Sequence, residues 1–179
     1  MPSAVLILDS SAMQQELVRI AREIAQENSN RTELALVGIQ RGGVILAKRL
    51  AALLSGMRSH PVLLGSLDVG MHRDDLGQHA APQIQPTVIP FDVTGKNVIL
   101  VDDVLFSGRT TRAALDALND FGRPKRIQLA VLIDRGHREL PITADFVGRT
   151  VSTSIRQRVN VSFREEGGAD EVTLESHEH

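Results

Sequence analysis

Val98-Ile99-Leu100-Val101-Asp102-Asp103-Val104-Leu105-Phe106-Ser107-Gly108-Arg109-Thr110 decides the reading of this chain. Its first residues form an apolar run of strand length, as expected of a strand buried on both faces. Two adjacent carboxylates follow, and ligands in open α/β sheets collect beyond the carboxyl ends of strands. The loop Val104 to Thr110 then enters a helix, whose free N–H groups and positive dipole end suit a phosphate. Ser107, Thr110 and Thr111 add hydroxyls, Gly108 permits close backbone approach, and Arg109 adds charge. Carboxylates next to a phosphate cradle repel an anion unless they hold sugar hydroxyls or a cation. A ribose phosphate carrying Mg²⁺ meets both conditions.

Outward from this segment, strand and helix patterns alternate. Ala4 to Leu8 is a short apolar run. Ser10 and Ser11 offer N-caps, with Ser11 and Gln14 spaced as a capping box. Met13, Leu17, Ile20, Ala21 and Ile24 then recur at helical spacing to about Asn28. Leu34 to Ile39 reads as a buried strand, Gly38 to Gly43 as a glycine-rich turn, and Val44 to Leu54 as a helix. Pro61 to Val69 suggests a further strand. Asn97 to Asp102 is the next, Arg109 to Phe121 its helix with Ala113, Leu115, Ala117 and Leu118 inward, and Ile127 to Ile133 another strand. The expectation is an α/β fold with a mostly parallel central sheet flanked by helices.

Residues 70–90 show little periodicity and contain three prolines and two glycines, which marks them as a lid candidate. Past Asp134 the alternation is expected to stop in a basic, turn-rich stretch. Val159 to Phe163 and Glu171 to Glu175 are read as two short strands turning at Gly167 to Asp170.

The length of 179 residues suits one domain with a core of its own, and the absence of cysteine excludes disulfide scaffolds and cysteine-ligated zinc. Five Phe without Trp or Tyr leave little for an aromatic base-stacking platform. The net charge of -2 conceals an acidic end: residues 164–179 carry one Arg against six acidic residues, and the remainder is about +3. That excess does not by itself demand nucleic acid. There is neither an apolar stretch of membrane-span length nor a signal-peptide pattern, so a cytoplasmic protein is expected.

The acidic pair also admits other readings. A flavodoxin-like receiver domain places such a pair after its first strand, whereas this one lies past mid-chain. A purely structural turn is the other alternative. A Walker-type site lacks its GxxxxGK[ST] motif.

The thirteen residues from Val98 to Thr110 resemble the phosphoribosyl pyrophosphate (PRPP) loop of type I phosphoribosyltransferases. Asp134 to Gly148, DRGHRELPITADFVG, taken with VDDVLFSGRT and the RDDL of Arg73 to Leu76, resembles the PyrR family of bifunctional pyrimidine operon regulators and uracil phosphoribosyltransferases. That resemblance implies the type I phosphoribosyltransferase fold over residues 1–179, with a small hood from the N-terminal segment and about 134–179, and a flexible lid loop at about 70–90. It implies conversion of uracil and PRPP to UMP and diphosphate with Mg²⁺, and regulation through pyr operon leader mRNA in response to UMP or UTP. Asp102, Asp103 and Arg73 are the catalytic candidates. Val104, Leu105, Phe106, Ser107, Gly108, Arg109 and Thr110, with the two aspartates, would bind the ribose and 5′-phosphate. Gln40, Arg41, Gly42, Gly43 and Arg73 would face pyrophosphate. Arg135, His137 and Arg138 would lie at the base or hood, and the Mg²⁺ would sit near Asp102 and Asp103, held mainly through substrate and water.

Arg19 and Arg22 are the RNA candidates, with Lys48 and Arg49 adding positive charge nearby. A homodimer or higher homo-oligomer is expected from the same resemblance. Departures from the family's usual residues occur at Arg41-Gly42-Gly43 (Thr-Arg-Gly), Phe106-Ser107 (Tyr-Thr), His72 (Tyr), and Val18 and Arg22 (Thr and His). The competing readings are a nucleotide sensor that binds RNA with little or no catalysis, and a phosphoribosyltransferase for another base without RNA regulation.

Overall fold

Nine residues, Asn97–Leu105, form β4 at the centre of the molecule, and the first six are buried because the strand is covered on both faces. The computed structural model describes residues 3–30, 33–70 and 86–177. β2 (Leu34–Ile39) and β3 (Val62–Leu67) lie on one side of β4, and β5 (Arg126–Asp134) and β6 (Phe146–Thr150) on the other. The order is β3-β2-β4-β5-β6, with every pairing parallel. Helices α1 (Ser10–Glu27) and α2 (Gly42–Ser55) cover one face through Leu17, Ile20, Ile24, Leu46 and Leu50. Helix α3 (Arg109–Leu118) covers the other through Ala113, Ala114, Ala117 and Leu118. Each fully buried Leu or Ile contributes about 1.5–3 kcal/mol by leaving water, so these stripes dominate the cohesion of the layers.

Local chemistry departs from the sequence reading in several places. The N-cap of α1 is Asp9, whose Oδ1 accepts from Ala12 N at 2.8 Å, so Ser10 and Ser11 lie inside the first turn. A carboxylate one residue earlier reaches the orphan N–H groups that the serines were expected to cap. β4 runs through both aspartates to Leu105, three residues beyond the expected end, because β5 continues to pair with it as far as Asp134. The connecting loop is therefore Phe106 to Gly108. The helix expected to Phe121 is α-helical only to Leu118 and tightens into a 3-10 turn over Asn119–Phe121, with Leu115 only partly buried.

The strand–helix alternation stops past Asp134, as expected, but the main sheet continues. Phe146–Thr150 is the fifth strand of the main sheet, and Phe146 is 2% exposed. Its connection from β5, residues 135–145, contains no helix, so the helical period that announced the other crossovers is missing here. β7 (Arg158–Ser162) and β8 (Glu171–Ser176) pair antiparallel, and β1 (Ser3–Leu8) adds to β8, giving a second sheet of order β1-β8-β7. The β7–β8 connection includes a 3-10 turn, Arg164–Glu166, before Gly167 takes a positive φ of 89°.

Arg49 of α2 docks that connection. Its guanidinium pairs with Asp170 at 2.7 and 3.1 Å and with Glu165, and lies 5.3 Å from the centre of the Phe163 ring. The hydrogen bonds from Arg49 hold both carboxyls below the usual carboxylate range. A carboxyl with a depressed folded-state pKa stabilises the fold at neutral pH, and that contribution is lost as pH falls through the folded value. The thermal midpoint of the wild type should therefore fall below about pH 4, and Arg49→Gln should flatten that acid limb. Melts from pH 7 to pH 3 would check this; equal acid losses in both proteins would refute it.

Candidate active site

The parallel sheet brings three strand ends together: β2 leading into the turn Gln40-Arg41, β4 with its aspartates, and β5 leading into Arg135. Strand alternation sends Asp102 and Asp103 to opposite faces. Asp102 is 9% exposed, and its Oδ1 accepts from Asp103 N at 2.9 Å. Asp103 Oδ1 accepts from Val104 N at 2.8 Å. Its Oδ2 faces α2, where a Cβ on Gly42 would approach to 2.5 Å. The acidic pair and the glycine turn are thus in direct apposition.

Packing explains the glycines of that turn. A Cβ on Gly43 would come within 2.1 Å of Val101 O, and one on Gly38 within 2.5 Å of Gly43 O. Only bare backbone lets the start of α2 close on β4. Gln40 N donates to Leu67 O at 2.9 Å, and the Gln40–Arg41 peptide is cis. Arg41 is exposed next to a cavity of about 380 Å³ that Gln40, Val44, Ile45 and Glu166 also line.

The loop after β4 delivers Gly108 at a φ of 94° to the start of α3, where the N-cap glycine has no side chain and the first amide, Arg109 N, donates to Ser107 Oγ at 3.3 Å. The amides that follow in the first turn have no partner within the helix, as at any helix start, and suit an anion. Arg109 Nε donates to Glu139 Oε2 at 2.9 Å. Behind this loop lies the segment after β5. The Arg135 guanidinium sits 4.2 Å from the Phe106 ring centre, and its Nη2 donates to Ser154 O at 3.0 Å. Burial lowers the Arg135 pKa, and its Nε is buried without a hydrogen-bond partner. His137, at a φ of 66°, meets Phe106 edge-on at 6.1 Å, and its Nε2 lies 2.6 Å from Thr153 O. A carbonyl only accepts, so Nε2 carries the proton. Arg135 and His137 thereby bind residues 153–154 to the Phe106 side of the loop after β4. Arg138 donates to Asp134 Oδ2, Phe106 O and Ile142 O.

The candidates on α1 have different surroundings. Arg19 donates to Val147 O at 2.9 Å and to Gly148 O, and pairs with Glu16 and Glu23 at 2.5 and 2.9 Å. It fastens α1 to β6. Arg22 and Lys48 are exposed. Arg73 and most of the expected lid lie outside the described residues, of which only Gly70 and 86–90 fall within its span. The roles of the Arg138 guanidinium and of the Glu139 and Leu140 amides escaped sequence reasoning, since a hydrogen bond across about thirty residues leaves no periodic signal.

The donor set fits a hard cation that arrives with its substrate. Asp102 and Asp103 supply oxygen ligands, and no cluster of three or more His, Cys, Asp or Glu able to hold a metal occurs among the described residues. Mg²⁺ commonly keeps several waters and binds through one or two carboxylates plus substrate phosphates, which such a site accommodates. Among the described residues, no helix is long and apolar enough to cross a membrane.

Comparison with known proteins shows the family of the chain. Residues 5–165 match the phosphoribosyl transferase domain family. The bifunctional protein PyrR of Chloroflexus aurantiacus is 54% identical over 169 residues, which cover 94% of this chain and 93% of that protein. The bifunctional protein PyrR of Thermus aquaticus is 52% identical over 169 residues, with the same two coverages of 94% and 93%. Among solved structures, the hypoxanthine phosphoribosyltransferase of Trypanosoma cruzi aligns with a TM-score of 0.73 at 15% identity, over 94% of each chain. At that identity the likeness concerns the fold alone.

Proposed function

This chain belongs to the phosphoribosyl transferase family and, within it, to the bifunctional PyrR proteins, and from that premise we propose that it transfers phosphoribose from PRPP to uracil and regulates pyrimidine biosynthesis genes by binding pyr mRNA in response to uridine nucleotides. One observation carries the catalytic half: the β4 aspartates abut the Gly42-Gly43 turn, and their strand runs through the short loop Phe106 to Gly108 into the start of α3. Two anion cradles flanking a carboxylate pair suit a substrate with phosphate at one end, diphosphate at the other and ribose hydroxyls between.

The proposed reaction is displacement at the anomeric carbon. Uracil N1 forms the new bond, the bond to diphosphate oxygen breaks, and the N1 proton is lost. Phe106 to Thr110 bind the 5′-phosphate through backbone amides and hydroxyls. Asp102 and Asp103 would hold the ribose hydroxyls and, mainly through substrate and water, the cation. Gln40 to Gly43 cradle the diphosphate, with charge from Arg41 and from Arg73, which lies outside the described residues. Charge neutralisation on the departing diphosphate is what Mg²⁺ supplies when bound. The turn Arg135 to Arg138 lies on the base side, where Arg135 and His137 hold 153–154 in place. The protein's contribution is positioning together with electrostatic stabilisation of the leaving group.

For the RNA half, Arg22 and Lys48 offer exposed charge, whereas Arg19 shapes the surface through its anchorage to β6. The expected second copy of the chain would enlarge that surface.

Formation of labelled UMP from uracil, PRPP and Mg²⁺, run beside hypoxanthine, guanine, adenine and orotate, tests the enzyme. Selective UMP formation is the expected result, and a preference for another base would overturn the assignment. Binding of the pyr leader RNA should strengthen with UMP or UTP and fall steeply with salt, because phosphate contacts release counterions. RNA binding indifferent to uridine nucleotides would remove the regulatory half.

A further inference from the structure

Arg138 connects three parts of the chain at once. Its Nη1 donates to Phe106 O at 2.9 Å, its Nε to Ile142 O at 2.9 Å, and its Nη2 to Asp134 Oδ2 at 2.6 Å. Next to it, the amides of Glu139 and Leu140 both donate to Ser107 O, at 2.9 and 3.2 Å. The carbonyls of Phe106 and Ser107 therefore point back into residues 138–140. Ile142 closes the same side, since a Cβ on Gly108 would meet it at 3.1 Å.

The peptide plane converts this bracing into function. In a trans peptide the N–H points opposite to the C=O of the same plane. The Phe106 carbonyl shares its plane with the Ser107 N–H, and the Ser107 carbonyl shares its plane with the Gly108 N–H. Both peptides are trans. Pinning the two carbonyls from behind turns both N–H groups to the opposite side. Successive amides aligned in this way, next to the positive end of a helix, make an anion-binding concavity.

The geometry points to Arg138 as the positioning residue of the 5′-phosphate loop rather than a contact to the base. The inference rests on reading Phe106 to Thr110 as that loop. The Arg138 guanidinium is well suited to the task, because its planar fork meets three acceptors at fixed angles that an ammonium cannot match together. Donors oriented before binding stabilise a bound anion without an ordering cost, and loss of the brace reintroduces that cost at the moment of binding.

Arg138→Gln and Arg138→Lys test this, with ribose 5-phosphate as the probe because it carries the phosphate and no base. Calorimetry should show Arg138→Gln binding it about 10- to 100-fold more weakly than wild type, the scale expected when charge-assisted hydrogen bonds are lost. The KM for PRPP should rise in parallel. The KM for uracil and the ranking of bases should stay unchanged, a split that general loosening of the fold would not produce. Arg138→Lys should fall between the two, since one ammonium cannot reach all three acceptors. Should Arg138→Gln fail to fold in a thermal melt, Arg138→Lys carries the same comparison. Unchanged ribose 5-phosphate binding with a raised uracil KM or altered base ranking would overturn the inference. Failure of the wild type to bind ribose 5-phosphate would instead overturn the loop assignment beneath it, whereas a wrong choice of base would leave the probe's result intact.

Discussion

Replacing Asp103 by Asn should lower UMP formation by about two to four orders of magnitude, the range associated with loss of a positioned charge or proton-transfer group. The substitution is nearly isosteric. The amide oxygen can still accept from Val104 N, as Oδ1 does at 2.8 Å, so β4 keeps its local bond. What disappears is the negative charge facing the Gly42 side of the site, where the ribose hydroxyls and the cation's waters would lie. Removing one of two adjacent carboxylates also relieves repulsion, and the thermal midpoint should hold or rise slightly. Steady-state turnover beside a thermal melt of the same sample decides the matter. Near-normal turnover in a folded Asp103→Asn protein would refute the catalytic role.

The second large effect separates two neighbouring glycines. A Cβ on Gly43 would sit 2.1 Å from Val101 O, a backbone atom in the centre of the sheet, so Gly43→Ala can be accommodated only by moving α2 away from β4. Overpacking against backbone should cost about 3 kcal/mol or more. For a domain of this size that lowers the thermal midpoint by roughly 6–12 °C. Gly42→Ala meets a different obstacle, since its Cβ would approach Asp103 Oδ2 at 2.5 Å, and a carboxylate can rotate away. Its stability should remain within about 1 kcal/mol of wild type, because a side-chain rotation relieves the contact at modest cost. Its turnover should nevertheless fall sharply, because the displaced group is the one proposed to position the ribose. Urea unfolding and UMP turnover, measured on both variants, would show opposite patterns. Equal stability losses would mean that the turn is held against β4 less tightly than these distances require.

The two glycines also show how structure and catalysis share one contact. The turn must lie flat on β4 for the main sheet to bury its α2 face, and the same approach places Gly42 against the Asp103 side chain. Sequence pattern revealed the glycines as a strand-to-helix turn. It held no information on which atom each would meet, because neighbours along the chain can face a carbonyl in one case and a carboxylate in the other.

Much of the molecule was legible because its signals are local. Apolar runs marked β2, β4 and β5, a 3.6-residue stripe marked α1, and the order carboxylate pair, small-residue loop, helix marked the site at Asp102 to Thr110. The family likeness rested on contiguous motifs of the same kind. Where local signals failed, the cause is identifiable. β6 went unrecognised because residues 135–145 cross between parallel strands without a helix, and its short apolar segment is surrounded by basic and turn-forming residues. The cap of α1 was displaced by one residue because Asp9, Ser10 and Ser11 are all competent caps, and backbone geometry chooses among them.

The amino-acid sequence by itself determined the layer architecture, the position of the helix start after β4 and the carboxylate pair that precedes it. Hydrophobic periodicity and short-range capping act over a few residues, and they are written where they act. Tertiary structure alone decided that Arg138 braces the loop at Phe106, that Arg19 fastens α1 to β6, and that Arg49 holds the β7–β8 connection. A long cationic side chain looks the same in sequence whether it faces solvent, a substrate or a carbonyl distant along the chain. Only the packing of elements brings a particular acceptor within reach of its donors, and the short range of the hydrogen bond makes that placement decisive.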